Sequence, residues 1–346
     1  MITYTLKVVE VRKETIDTVT ICFKQPGLKK IKYLSGQYLT LIFRINSRRY
    51  IRPYSFSSAP GIDPNIEVTI KRVPGGIISN HINDRVAVGD IVEVMEPLGD
   101  FTLSKIPALP EAHLVLWGAG SGITPLLSIA KFALHNEVCD HITLVYGNKN
   151  SESVIFSDQI ELLQSKFKNF SVFHFHSQLF ISANNPGVIE GRINPKKVLS
   201  IMKQEKPKDK TIHYICGPVG LKESVKNQLS VLEIPEENIY TEDFETVKDP
   251  KEFESITTQN VEVVFDNTTY NVEVVKGKSI LEAGLDSLLD LTYSCQTGNC
   301  LVCKAKLLSG AAKMIGVSKK DELSEDEYLL CCSYPISNNV KVLVTN

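Results

Sequence analysis

Over the first hundred residues, apolar and polar positions alternate in short runs. TYTLKVVEVRK, TVTICFK, QYLTLIFRI, IEVTIKRV and DIVEVMEPLG follow one another, separated by Pro26-Gly27, Pro60-Gly61, Pro74-Gly75-Gly76 and Val88-Gly89-Asp90. Many short strands at this spacing predict an antiparallel β-barrel or sandwich over residues 1–108. Near Pro107–Pro110 the pattern changes. From His113, strand-like runs (HLVLW, ITLVYG, FSVFHF, IHYIC) alternate with helical ones (TPLLSIAKFALHN, IFSDQIELLQSKF, a helix around Pro195–Gln204, GLKESVKNQLSVL). That alternation predicts an α/β doubly wound domain over 109–245. Residues 246–258 are polar and without period, and read as a linker. In a third domain, 259–346, VEVVFDN and TTYNVEVV form a hairpin around Asp266-Asn267. The helix SILEAGLDSLLD and a cysteine-rich loop follow.

Composition leaves this multi-domain picture standing. The chain has 346 residues, 43% hydrophobic and 23% charged, with a net charge of −2. Those values exclude a disordered chain and argue against a dominant nucleic-acid-binding surface. No apolar run reaches the roughly 18 residues of a membrane span. The start, MITYTLKVVEVRKE, carries charges every few residues and does not read as a signal peptide. A cytoplasmic protein is expected.

The cysteines change the picture. Of eight, five lie in the last 52 residues: Cys295, Cys300, Cys303, Cys331 and Cys332. TYSCQTGNCLVC spaces the first three as C-x4-C-x2-C, and YLLCCSYP supplies a distant fourth. This is the plant-type [2Fe–2S] spacing. A zinc site is the plainer alternative, but zinc knuckles use C-x2-C pairs and the x4 gap fits them poorly. Gly298 and the small Ser294 allow close backbone approach, so that N–H groups can face the sulfurs. The segment resembles plant-type ferredoxins. That resemblance implies a β-grasp (α+β) domain with Cys331 as the fourth ligand, although the adjacent Cys332 permits a one-residue shift.

In the second domain, HLVLW-GAGSG-ITPLLSI sets Gly118, Gly120 and Gly122 between a strand and a helix, with Thr124 as a candidate N-cap and Pro125 suited to the first helical position. A pyrophosphate can rest on such a helix N-terminus. A tight βα turn is the alternative, since Ile123 stands where G-x-G-x-x-G has its third glycine. The next strand ends in Tyr146-Gly147-Asn148-Lys149 and offers no acidic residue for ribose hydroxyls. Lys149, with Ser151 and Ser153 close by, favours NADPH, with NADH still open. Cys216, in YICGPVG, ends another strand on the ligand side of the sheet.

In the first domain, Arg52-Pro53-Tyr54-Ser55 offers a cation for phosphate, a ring for stacking and a hydroxyl for a ring nitrogen, as a flavin requires. IKRVPGGIISNHI follows, where Gly75-Gly76 leads to Ser79 and suits a pyrophosphate. RPYS, GGIIS, GAGSGITP, YGNK and CGP, in this order, resemble the ferredoxin–NADP reductase superfamily over residues 1–245. With the ferredoxin-like tail, nearly the whole chain resembles the reductase components of bacterial oxygenases.

The resemblance implies FAD in the barrel, with FMN as the alternative, a nicotinamide dinucleotide in the second domain and a [2Fe–2S] cluster in the third. Arg52 would meet the FAD pyrophosphate, Tyr54 would pack on the flavin and Ser55 would bond near its N5. Pro53 and Lys71 stand with them. Gly75, Gly76, Ile77 and Ser79 would line the pyrophosphate. Gly118, Gly120, Gly122, Thr124 and Lys149 would hold the dinucleotide, with Cys216 near the nicotinamide. Phe244, in Thr241-Glu242-Asp243-Phe244, would shield the flavin, although this chain continues past the point where plant-type reductases end. The acceptor would be an oxygenase or hydroxylase component, a diiron enzyme such as phenylacetyl-CoA epoxidase. A general NADPH–flavodoxin or ferredoxin oxidoreductase and a redox sensor are the other readings.

Overall fold

A computed structural model describes residues 2–27, 30–46, 48–105, 111–178, 187–203, 211–245 and 249–344. The pattern change at Pro107–Pro110 and the boundary at 108 lie outside them, as do Gln204 and residues 246–248. The chain divides into two compact units. One holds Ile2–Leu41 with Tyr54–Asp243, the other Ile42–Pro53 with the chain from Phe244 onward.

The first strands are β1 (Thr3–Thr15), β2 (Thr18–Phe23), β3 (Tyr38–Ile45), β4 (Arg48–Ser55), β5 (Ile66–Lys71) and β6 (Ile91–Met95), in the order β4-β3-β6-β1-β2-β5. An isolated backbone bridge joins Phe56, just past β4, to Val68 of β5. Two pieces are absent from the sequence reading. RRYIRPYS forms β4, where Arg and Pro mask the alternation, and proline is tolerated because the strand lies at a sheet edge. The residues after Gly76 form a helix, α1 (Ile77–Arg85).

The doubly wound sheet holds β7 (His113–Ala119), β8 (His141–Asn148), β9 (Phe170–His176), β10 (Val188–Glu190), β11 (Thr211–Cys216) and β12 (Ile239–Glu242). They are parallel, in the order β10-β9-β8-β7-β11-β12. Its helices are α2 (Ile123–His135), α3 (Ser157–Lys166), α4 (Pro195–Met202) and α5 (Val219–Val231). Leu114 and Leu116 of β7 join one apolar layer, and Val115 and Trp117 join the other. A strand buried on both faces shows the continuous apolar run of HLVLW. Within the same unit α2 grips the barrel. Ser128 donates to the Ser58 carbonyl at 2.6 Å, and Lys131 pairs with Asp63 at 3.2 Å.

The second unit contains β13 (Gln259–Phe265), β14 (Thr268–Val274), α6 (Ile280–Asp286), β15 (Lys304–Ser309), β16 (Ala312–Met314), β17 (Glu327–Leu329), β18 (Ser333–Pro335) and β19 (Lys341–Val344). The main sheet runs β14-β13-β19-β15-β17, and β16 pairs with β18. Asp266 and Asn267 take φ of 50° and 60° at the hairpin tip. Such left-handed turns favour these residues. Ser279 and Glu282 cap α6 reciprocally. In the segment read as a linker, 249–252, 254, 255, 257 and 258 are exposed, and two residues pack. Phe253 meets the ring of Tyr334 at 4.9 Å, and Ile256 is fully buried. The acidic run 321–327 is partly neutralised by Lys304–Glu327 and Lys306–Asp326 pairs.

Candidate functional site

Three arrangements of side chain and backbone stand out. In the first, β4 ends in Arg52-Pro53-Tyr54-Ser55, with Ser55 buried and Tyr54 half-buried. The Arg52 guanidinium donates to the Ile51 carbonyl at 2.8 Å. Lys71, at the end of β5, pairs with Asp17 at 3.3 Å. Gly75 has φ +71° with open space around it, while a Cβ at Gly76 would lie 2.7 Å from Ser79 Oγ. Ser79 Oγ in turn accepts from the Val73 amide at 3.1 Å. The helix α1 begins at Ile77 with no side-chain cap and no acidic residue in its first turn. Its N–H groups are left for an anion, so this cradle fits the phosphates of a flavin nucleotide.

In the second, β7 runs into a short 3-10 turn, Gly120–Gly122, and then α2. Sequence reasoning made Thr124 the N-cap. The helix instead starts at Ile123 after Gly122, and the Thr124 hydroxyl donates to the Ser121 carbonyl at 3.0 Å. The shift arises because the glycines themselves coil. Gly120 sits in open space with φ +52°, whereas a Cβ at Gly118 would lie 2.9 Å from Leu126. Cys216 pairs in register with Gly118, across the point where strand order reverses. Burial pushes its thiol well above the ordinary range, so it stays protonated.

Lys149 follows the end of β8. The Ser153 hydroxyl is engaged with Asn150, in a reciprocal cap. Next to Lys149, the Asn148 amide, His174 Nδ1 and His176 Nε2 are buried with no hydrogen-bond partner among the described residues. They sit at or near the carboxyl ends of β8 and β9, the ligand side of such a sheet. Unsatisfied polar groups there fit a polar ligand. The sequence reading missed these three residues. Asn148 stands in the sequence reading only within Tyr146-Gly147-Asn148-Lys149, and the signal for the two histidines is their interruption of the apolar run FHFH at a strand end. Phe244 is half-exposed.

In the third, the loop from Cys295 to Cys303 joins α6 to β15. Gln296, Gly298 and Leu301 all take positive φ, which curls the loop. The Thr297 amide donates to Cys295 Sγ at 3.4 Å. Cys300 lies within hydrogen-bond reach of Cys295, and Cys331 within reach of both Cys303 and Cys332, with Cys295 near enough to act on Cys303 and Cys331. The hydrogen bond from Cys300, with those of Thr297 and Asn299, pushes Cys295 down to about 5, while its partner Cys300 is pushed up. Cys332 lies 3.6 Å from Cys331 Sγ, and a Cβ at Gly298 would approach its sulfur at 3.0 Å. Among the described residues no three His, Cys, Asp or Glu side chains are set to hold a single metal ion. Cys295, Cys300, Cys303 and Cys331, brought together, fit two irons with two thiolates each.

Comparison with known proteins gives the same three parts. The oxidoreductase FAD-binding domain family matches residues 5–103, the oxidoreductase NAD-binding domain family 116–227, and the 2Fe-2S iron-sulfur cluster binding domain family 263–336. The ferredoxin reductase component of 3-ketosteroid-9-alpha-monooxygenase from Mycobacterium tuberculosis (strain H37Rv) is 30% identical, over 97% of this chain and 94% of that protein. A component of the 1,2-phenylacetyl-CoA epoxidase of Escherichia coli (strain K12) is 30% identical, over 98% of this chain and 97% of that protein. Among solved structures, phthalate dioxygenase reductase shares the fold with a TM-score of 0.68 and 23% identity, over 99% of this chain and 98% of that one.

Proposed function

The chain belongs to the family of oxygenase reductase components, oxidoreductases with FAD-binding, NAD-binding and [2Fe–2S] domains, and on that premise we propose that it oxidises NADPH and feeds single electrons to a separate diiron oxygenase such as phenylacetyl-CoA epoxidase. The observation that carries this reading is the gathering of Cys295, Cys300, Cys303 and Cys331 in one chain with two glycine-lined turns that each lead into a helix. Bound FAD and a [2Fe–2S] centre supply conversion of a two-electron hydride into single electrons.

The residues bind and orient. In this reading Arg52 and the α1 N-terminus hold the flavin phosphates. Tyr54 with Pro53 packs on the ring system, Ser55 bonds near its reacting edge and Phe244 shields it. Lys71 adds positive charge. Gly118, Gly120, Gly122 and Thr124 seat the dinucleotide, and the neutral Cys216 thiol lines the nicotinamide pocket. Cys295, Cys300, Cys303 and Cys331 ligate the cluster. The domains are 1–108, 109–245 and 259–346, joined by 246–258. No described helix is long and apolar enough to cross a membrane. We place the protein in the cytoplasm.

Lys149 makes the NADPH preference testable. Anaerobic stopped-flow reduction with NADPH and NADH in parallel is expected to give the larger kcat/KM for NADPH. Lys149→Ala should cut that ratio by about tenfold, as loss of one charge-assisted contact does. A faster reaction with NADH in the parent protein contradicts the preference.

A further inference from the structure

Resting on that reading, we propose that Arg48, Arg49 and Tyr293 form a salt-sensitive clasp that positions the cysteine loop against the strand bearing the flavin motif. All its members lie in the same compact unit. Arg48 Nη2 pairs with Asp286 Oδ1 at 2.9 Å, and Arg49 Nη1 pairs with Asp290 Oδ1 at 2.7 Å. Beside these pairs, the Ile51 amide donates to the Tyr293 hydroxyl at 3.2 Å, and both residues are buried. The Ile51 carbonyl accepts from Arg52 at 2.8 Å. Ile51 therefore links Tyr293, two residues before Cys295, to Arg52, the expected flavin-phosphate contact.

Two features make this a clasp and more than fold-stabilising pairs. The partners come from the end of α6 and the stretch leading into the cysteine loop on one side, and from β4 just ahead of Arg52-Pro53-Tyr54-Ser55 on the other. Strand geometry puts Ile51 within about 10 Å of Tyr54 along β4. The carboxylates and Arg48 are also exposed, with Arg48 and Asp286 both 41% accessible and Asp290 68%, while Arg49 is 21% accessible. Such pairs are weak and screened by salt. They steer two surfaces together and let them part, as suits a ferredoxin domain that must also meet an external acceptor. From Ile256 onward the chain carries 11 acidic and 8 basic residues. Asp286 is shared between Arg48 and Lys278 of its own domain, which pairs with it at 2.6 Å, while Arg49 of β4 is the cation set against Asp290.

The test uses the full-length holoprotein. Oxidised and without nucleotide, the Arg48→Glu/Arg49→Glu variant should show faster hydrogen exchange across 48–53 and 286–294. Tyr293→Phe, which keeps the ring and loses the hydroxyl, should free the Ile51 amide alone. In anaerobic stopped flow with NADPH, flavin bleaching should keep its rate in the double variant while cluster bleaching slows by about tenfold, the shift two exposed pairs can supply. Arg49→Asp with Asp290→Arg should restore both readouts. In the parent protein, cluster bleaching should slow as ionic strength rises from about 0.01 to about 1 M, where the screening length shrinks from roughly 30 to 3 Å. Equal exchange and equal cluster bleaching in parent and double variant overturn the clasp. A parent protein in which NADPH bleaches neither chromophore overturns the functional reading instead, and the clasp's role with it.

Discussion

Gly122 lies so close to Cys216 that a Cβ there would sit 2.1 Å from the Cys216 carbonyl oxygen. The glycine loop after β7 and the end of β11 are thus packed backbone to backbone at the switch point of the sheet. Any side chain at Gly122 must push them apart. Gly122→Ala should cost about 1–3 kcal/mol, as overpacking does, and weaken dinucleotide binding. Gly120→Ala, in open space at φ +52°, should cost only the left-handed strain of about 1–2 kcal/mol. Chemical denaturation of the three proteins measures the difference.

The pairing of Cys303 with Cys331 sets a second expectation. Cys331→Ser should purify without cluster absorbance and with a low iron content. Cys332→Ser should keep both, because its sulfur faces the Gly298 turn. The reverse result would move the fourth ligand by one residue.

His213 gives a pH dependence with a definite sign. Its ring is buried between Trp117, which donates to Nδ1 at 3.1 Å, and Thr211, which meets Nε2 at 3.1 Å. Burial, with His113 close by, pushes the imidazole down to about 3. In the unfolded chain it takes a proton below about pH 6.5. Between those values the unfolded state binds the extra proton, so stability is lost as pH falls through that window, by up to about 1.4 kcal/mol per pH unit. His213→Gln cannot take that proton. Between pH 6.5 and 5.5 its melting temperature should fall by about 2–4 °C less than that of the parent protein.

Much of this was legible in the sequence because local patterns and tertiary structure agree. The run HLVLW is apolar throughout because β7 is buried on both faces, and Asp266-Asn267 sits at a hairpin tip because both residues tolerate positive φ. The cysteine spacing pointed to the iron–sulfur domain that the family match gives over 263–336. Where the pattern misled, chemistry had displaced it. β4 carries Arg48, Arg49, Arg52 and Pro53, so its alternation vanishes. Thr124 resembles a cap, but Gly122 takes that place and the helix begins at Ile123, two residues earlier than a Thr124 cap would set it. The unpartnered Asn148, His174 and His176 are polar residues near strand ends, and only burial distinguishes them from surface groups.

The central claim is that one chain takes electrons from a nicotinamide and hands them on through a flavin and an iron–sulfur centre. Anaerobic purification, analysis for FAD, iron and acid-labile sulfide, and visible spectra before and after stoichiometric NADPH test it most directly. The expected result is one FAD and two irons per chain, with flavin bands and a broad iron–sulfur shoulder that both bleach on mixing. A colourless protein, or one whose colour ignores both NADPH and NADH, would contradict it.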